Sequence, residues 1–236
     1  MDMRKTYLKW LKIKTALQRL LKNPKDLEAV FIVLKWLSGR SMTKQYNKFK
    51  VSEIGKRIIT EQNSLGAVLD NVTTLKNMPL DSLGEEYSKF LIATNKSSKQ
   101  FAKDSKGQGE EVKDSDYKFF IKRARDQHDI HHTVAGYERN PFGEMVLLAF
   151  LHGNFTNLGM FALVVTMTIA QIKVKGWIVL PIVIEAFLNG RKADWFFGAG
   201  WETLLGQPLA EVRVDMQVRE AVKYKAFMQK LRNKRI

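Results

Sequence analysis

The chain contains no cysteine, and that absence removes a large part of the possible chemistry. Disulfide frameworks, zinc ribbons, thiolate nucleophiles and dithiol redox pairs all need thiols. Any metal site must therefore be built from His, Asp and Glu. Acidic residues are also scarce: 24 Asp and Glu stand against 39 Lys and Arg, for a net charge of +15 in 236 residues. That surplus calls for an anionic partner, whether nucleic acid, an acidic membrane surface or a phosphorylated small molecule. Histidine is rarer still, with four in all, each lying between positions 128 and 152. A long membrane-crossing run is also missing. Met145 to Ile172 carries no charge, but it is punctured by His152, Asn154, Thr156, Asn157, Thr166 and Thr168. Its cleanest part, 158–170, falls short of the ~20 apolar residues that span a bilayer.

What is present is a chain able to build a core. Hydrophobic residues make up 45% of it, which excludes a disordered tail protein, and the length suits one domain, 1–236. The pattern is helical almost throughout and no strand alternation persists, so the expected fold is all-α. About +11 of the charge lies in residues 1–60, much of it in basic, amphipathic helices over 1–40. There Tyr7, Trp10, Ile13, Leu17, Leu20 and Leu21 recur at helical spacing. This start reads as a mature helix rather than a presequence, because it lacks Ser and uses Lys more than Arg. It has no apolar region of the secretory kind.

Asn23-Pro24 ends the first helix, and Asp26 is placed to cap a second over Leu27 to Leu37. Helical periodicity over Met42 to Leu69 is interrupted by Gly55 and Gly66. Lys, Ser, Gly and Asp dominate 96–116, which predicts a flexible loop. One long helix is expected from Tyr117 to about Tyr137, capped by Ser115 or Asp116, with Pro141 breaking the chain before the next. Met145 to Ile172 reads as two buried helices meeting near Gly153-Asn154 or Gly159, and Trp177 to Leu188 as interior. A final helix is expected from Pro208 to the basic C-terminus.

The histidines carry the chemistry. In His128-Asp129-Ile130-His131-His132 the first and last His are four apart and share one helix face. Asp129 lies beside that face, and Glu144 opens the next helix after the bend at Asn140 to Gly143. Two imidazoles with one or two carboxylates leave an open coordination position, as a catalytic ion requires. The set fits Zn²⁺ first, with Fe²⁺, Co²⁺ or Mn²⁺ as alternatives and Mg²⁺ a poorer match. His131 points away from the pair, towards a supporting or surface role, and His152 reads as a core histidine. Arg123 and Arg125, one turn earlier, are placed to hold a carboxylate or phosphate. A zincin protease is disfavoured because Asp129 stands where its Glu general base belongs. A His-Asp phosphohydrolase is excluded for want of any earlier histidine.

The pattern His128-Asp129-x-x-His132-x₁₁-Glu144 resembles the signature of the family of the fourth Coq protein of ubiquinone (coenzyme Q) biosynthesis. Arg123 to His128, Gly136-Tyr137 and Gly143-Glu144 resemble its flanking residues. Upstream, Leu83 to Tyr87 with Phe90-Leu91 is similar to another family segment, as is the C-terminal block of Trp201-Glu202, Pro208-Leu209 and Glu211 to Arg213. The similarity runs from Leu83 to Arg213, and the first eighty residues match only in helical character. Two departures are the extra His131 and the Lys/Gly/Ser loop in place of a proline-rich lead.

The resemblance implies an α-helical protein that binds a polyprenylated quinone precursor or another isoprenoid lipid. The implied chemistry is metal-dependent oxidative removal of the ring carboxylate at C1. The same resemblance implies work at a membrane surface with other quinone-biosynthesis proteins, either peripheral to a bacterial inner membrane or on the mitochondrial matrix face. A homodimer is compatible with it. The alternative function is a non-enzymatic lipid-binding scaffold. Nucleic-acid binding rests on charge alone, and the basic amphipathic start fits an anionic membrane surface better.

Overall fold

The computed structural model describes residues 3–94 and 114–233. Of the loop expected at 96–116, only Asp114 to Asp116 falls within the described residues. In chain order the helices are α1 (Met3–Lys22), α2 (Leu27–Leu37), α3 (Gly39–Val51), α4 (Glu53–Glu61) and α5 (Leu65–Leu69). Next come α6 (Val72–Lys76), α7 (Leu83–Thr94), α8 (Ser115–Asp126), α9 (His128–Ala135) and α10 (Pro141–Asn154). The last are α11 (Leu158–Lys175), α12 (Val179–Lys192), α13 (Trp201–Leu204), α14 (Leu209–Asp215) and α15 (Val222–Asn233). A 3₁₀ turn at Phe196–Gly198 and one isolated bridge between Ser82 and Pro208 complete the regular structure among the described residues. The all-α expectation is borne out. The chain forms two compact units, one from residues up to 42 with 137–192 and 220 onward, the other from 43–136 and 193–219.

In the first unit, Ile13, Ala16 and Leu20 of α1 sit at helical spacing and are buried. Ala16 and Leu20 share a cluster with Ala29 and Val33 of α2 and Leu163 of α11. The α1–α2 turn is set by Asp26, whose carboxylate accepts from the Ala29 N–H at 3.0 Å and from Arg19 at 2.8 and 2.9 Å. One side chain thus caps α2 and holds the end of α1. Helices α10 and α12 pack with close backbone approach. A Cβ at Gly153 would collide with the Phe187 carbonyl, and one at Gly190 with the backbone of Phe150. Both glycines are therefore there for close backbone approach. The break expected near Gly153-Asn154 or Gly159 falls between them: α11 starts on Asn157, which accepts from the Met160 N–H at 3.0 Å and from Ser38 Oγ at 2.8 Å.

The reading of α11 and α12 as interior helices needs correction. Each is buried along one side only, and Phe161, Val165, Ile169, Leu180, Ile184 and Leu188 are exposed. A helix apolar on every side gives no sequence sign of which face is outermost.

In the second unit, 42–69 contains three helices rather than an interrupted one. The breaks fall at Ser52, which caps α4, and at Gln62 to Ser64, not at Gly55 or Gly66. Gly66 lies inside α5, where its N–H donates to Asp126 at 3.2 Å and a side chain would meet that carboxyl. The α7 N-terminus finds its acceptors at long range: Leu83 N–H donates to the Gln207 carbonyl and Gly84 N–H to that of Leu205, both at 2.8 Å. Two helices expected to be continuous are broken. The 117–137 helix divides at Gln127 into α8 and α9, and α8 is capped by Asp114 rather than Ser115 or Asp116. The C-terminal helix divides after Asp215, where Gln217 takes a left-handed φ of 52°.

Candidate metal centre

The candidate ligands start on α9, a helix of eight residues, too short to be stable alone. It is held from outside at both ends. Gly136 takes a left-handed φ of 77°, and its N–H closes the last turn on the His132 carbonyl at 2.9 Å. Arg213 then donates Nε to the Val134 carbonyl and a terminal nitrogen to that of Thr133, each at 2.9 Å. A helix C-terminus leaves carbonyls without partners and carries partial negative charge, so a guanidinium there satisfies both needs. The sequence motifs pointed at Arg213 only through family similarity; its role as a cap is a long-range contact. At the other end Trp201 donates its indole N–H to Gln127 at 3.0 Å.

On this helix Ile130 and Val134 are buried in the core. His128 and His132, one turn apart, have ring centroids separated by 5.0 Å with planes at 71°. His132 is buried and stacks on Phe90 of α7, with centroids 5.7 Å apart. His128 is half-buried, and its Nδ1 lies 3.1 Å from the Asp129 carboxylate. A carboxylate can only accept, so this contact puts the proton on Nδ1 and leaves the Nε2 lone pair for a ligand. That is the arrangement in which an acidic neighbour orients a metal-binding imidazole.

His131 departs from the surface alternative. It is fully buried, and its ring lies 5.1 Å from that of Phe196 and 5.6 Å from that of Trp201. Burial holds its pKa well below the usual histidine value, with the neighbouring His128 and His132 acting in the same direction.

Arg123 also has a different place from the head-group contact expected of it. Only 2% exposed, it donates to Glu202 at 2.5 and 3.0 Å and to the Ala199 carbonyl at 3.0 Å. Its guanidinium is used within the fold, tying α8 to α13. Arg125 is half-buried on the same helix.

Glu144 sits in the first turn of α10, in the other unit, and is half-buried. Its position along the chain is controlled by the segment before it. Asn140 caps α10 by accepting from the Phe142 and Gly143 N–H groups at 3.0 and 2.9 Å, and Pro141 occupies the first helical position. The Glu138 N–H donates to the Tyr224 hydroxyl at 3.0 Å, and the Glu138 carboxylate accepts from Asn140 and Arg232. Burial pushes the Tyr224 phenol well up, so it stays neutral in this contact. A side chain at Gly143 would strike both the Glu138 carbonyl and that hydroxyl. His152, on the same helix, is half-buried; its ring lies 5.5 Å from that of Phe161 and 5.7 Å from that of Phe187, and it accepts from the Asn157 N–H at 3.3 Å.

His128 and His132 set two imidazoles one turn apart on α9, and Glu144 is the carboxylate that the sequence motif adds to them. Two imidazoles and one carboxylate suit a borderline divalent cation such as Zn²⁺ and leave coordination positions open. A second acidic group, Asp81 with Glu85 and Glu86, lies near the surface, where Lys89 bridges the two glutamates at 2.8 and 2.7 Å.

The family described as "Coenzyme Q (ubiquinone) biosynthesis protein Coq4" matches residues 5–221. The chain belongs to this family. The match reaches well before Leu83, so the N-terminal helices belong to the Coq4 pattern as well. Among curated relatives, the rat "Ubiquinone biosynthesis protein COQ4 homolog, mitochondrial" is 26% identical over 174 residues, 73% of this chain and 63% of that protein. The Yarrowia lipolytica COQ4 protein is 25% identical over 193 residues, 77% and 70% of the two chains. The human homologue is 23% identical over 200 residues, 83% and 72% of the two. This chain thus spans less than two thirds of the rat relative's length. A crystal structure of a Nostoc punctiforme protein, provisionally assigned to ubiquinone biosynthesis, superposes with a TM-score of 0.63 over 89% of this chain and 98% of that one. At 18% identity that likeness concerns the Coq4 fold alone.

Proposed function

We propose that this Coq4-family chain serves ubiquinone biosynthesis as a metal-dependent protein, with a divalent ion held by His128, His132 and Glu144. The observation that supports the reading is the His128–His132 pair, one turn apart on α9, in a family matched over residues 5–221, with Glu144 as the motif's carboxylate. Asp129 accepts from His128 Nδ1 and so orients that ligand rather than adding a fourth. The ion, when bound, supplies a Lewis acid that polarises an oxygen of the substrate head group. Zn²⁺ is the first candidate, ahead of Fe²⁺, Co²⁺ and Mn²⁺.

The substrate on this reading is a polyprenylated hydroxybenzoate-type precursor, and the reaction is oxidative loss of its C1 carboxylate as CO2, with a hydroxyl from water taking its place and dioxygen accepting the two electrons to leave as hydrogen peroxide. Of the two arginines that the sequence places for an anionic head group, Arg123 is bound to Glu202, and Arg125 is the one this reading keeps for that contact. The word mitochondrial in the relatives' names supports a mitochondrial location; on this reading the protein works at the matrix face of the inner membrane with other quinone-biosynthesis proteins.

Expression of the chain in cells lacking their own Coq4 protein tests this, with ubiquinone measured in lipid extracts. The chain should restore ubiquinone, and His128→Ala or Glu144→Ala should abolish the rescue. Rescue by both variants would leave a lipid-binding scaffold as the function and sink the metal-dependent reading.

A further inference from the structure

The exposed side of α11 and α12 has a composition that a water-facing surface does not need. Between residues 158 and 172 every exposed position is apolar: Leu158, Phe161, Val165 and Ile169. These lie three or four apart and form one stripe along α11. The same holds from 177 to 188, where the exposed residues are Trp177, Ile178, Leu180, Ile184 and Leu188. The two stripes meet at the short connection 176–178, where Trp177 is 74% exposed. Soluble surfaces carry single apolar residues, but two unbroken stripes joined end to end mark an interaction face.

The charges around the stripes say what covers them. Lys173 and Lys175 close α11, and Arg191 and Lys192 close α12. None of the exposed positions on the two helices is acidic; the one acid on α12, Glu185, is half-buried and accepts from the Lys223 backbone N–H at 2.9 Å. A second copy would bring the same positive ends together. An anionic bilayer neutralises them, and each basic residue near such a surface strengthens binding roughly five-fold.

Length and composition alone would let α11 cross a membrane. Half of its apolar window is buried inside the protein, however, against α1, α2 and α10. With only one side free, the helix lies in the interface plane instead of spanning. The exposed Trp177 beside Lys173 and Lys175 fits the headgroup level, where indoles and basic side chains anchor.

We infer that the outer faces of α11 and α12 form a bilayer-docking surface that seats the protein on an anionic membrane. The N-terminal basic helix adds charge to this contact, but the apolar insertion belongs to the α11–α12 hairpin. The inference stands apart from the metal site, because it requires no ion.

The absence of cysteine allows a clean test on the full chain. An Ile169→Cys variant labelled with an environment-sensitive fluorophore is mixed with phosphatidylcholine vesicles, with or without phosphatidylglycerol. A blue shift is expected with the anionic vesicles, and none from a label at Val214→Cys, outside both helices. Ile169→Asp with Ile184→Asp should weaken vesicle co-sedimentation ten-fold or more. Both positions are exposed, so thermal melting should be unchanged. His128→Ala should sediment with vesicles like the parent, which separates this result from the fate of the metal-dependent reading. No shift at position 169, an equal shift at 214, or undiminished sedimentation of the double Asp variant would overturn the inference. So would a parent dimer that the double Asp variant turns into a monomer without loss of vesicle binding, since a second copy then covers the face.

Discussion

Replacing Arg123 with methionine keeps an unbranched apolar stem at a buried position and removes the guanidinium and its charge. The loss can be worked out from its contacts: two hydrogen bonds to Glu202 at 2.5 and 3.0 Å, and one to the Ala199 carbonyl at 3.0 Å. Breaking a buried pair by removing one partner costs ~3–5 kcal/mol, because the other charge remains without compensation. Glu202 retains 26% side-chain exposure, so water recovers part of that cost and the lower end, about 3 kcal/mol, is expected. For a chain of this size each kcal/mol moves the melting temperature by ~2–4 °C, which gives a drop of about 6–12 °C. The effect also has a pH signature. Burial pushes the Glu202 carboxyl up, but the hydrogen bond and charge of Arg123 outweigh it and leave the pKa below the usual 4.5. A depressed carboxylate contributes stability that is present above its ordinary pKa and lost as pH falls through the folded value. The gap between parent and Arg123→Met should therefore be widest near neutral pH and narrow below 4.5. Circular-dichroism melts at neutral and acid pH measure it. Adding Glu202→Gln should recover more than half of the loss, since the stranded carboxylate is its main source. A shift under about 2 °C at neutral pH, or a gap that does not narrow in acid, would refute the reasoning.

Asp129→Asn keeps the shape but exchanges a carboxylate for an amide, and by losing the orienting partner of His128 should weaken metal affinity ~10–100-fold in a calorimetric titration. Tyr224→Phe strips the acceptor from the half-buried Glu138 N–H and should lower stability by ~0.5–1.5 kcal/mol in urea denaturation. The shift in midpoint should come without a change in slope. Gly190→Ala forces a methyl into the Phe150 backbone at the α10–α12 crossing; a cost of ~1–3 kcal/mol is expected from overpacking, read as a lower melting temperature. An unchanged melt would mean that the two helices approach less closely than their glycines indicate.

The parts of the molecule legible in the sequence are those written in local signals. Pro24 and Asn140-Pro141 end or start helices through their own backbone or side-chain chemistry, and each lies at a real boundary. The His128–His132 pair could be found because a four-residue spacing has the same meaning on any helix. The breaks at Gln127 and Gln217 carried no such signal. Gln127 keeps right-handed helical dihedrals, so nothing local separates it from its neighbours, and Gln217 is a left-handed residue with no glycine to announce it. Arg123 is ambiguous in the sequence for a related reason. Its partner Glu202 lies 79 residues away, and an arginine near an active-site motif looks the same whether it meets a ligand or the fold. For His131 the helix wheel says where the side chain points but not that Phe196 and Trp201 stand there. The outer stripes of α11 and α12 were hidden by uniformity, since a helix apolar all round has no polar side to mark its outside.

Elemental analysis of the purified full chain is the most direct test of the metal-dependent account, run on the parent, His128→Ala and Glu144→Ala after identical purification and divalent-metal loading. The account predicts about one tightly held divalent ion per parent chain, and loss of that ion in both variants while their melting curves in chelator stay at the parent value. A parent chain that retains no ion, or variants that retain as much as the parent, would contradict it.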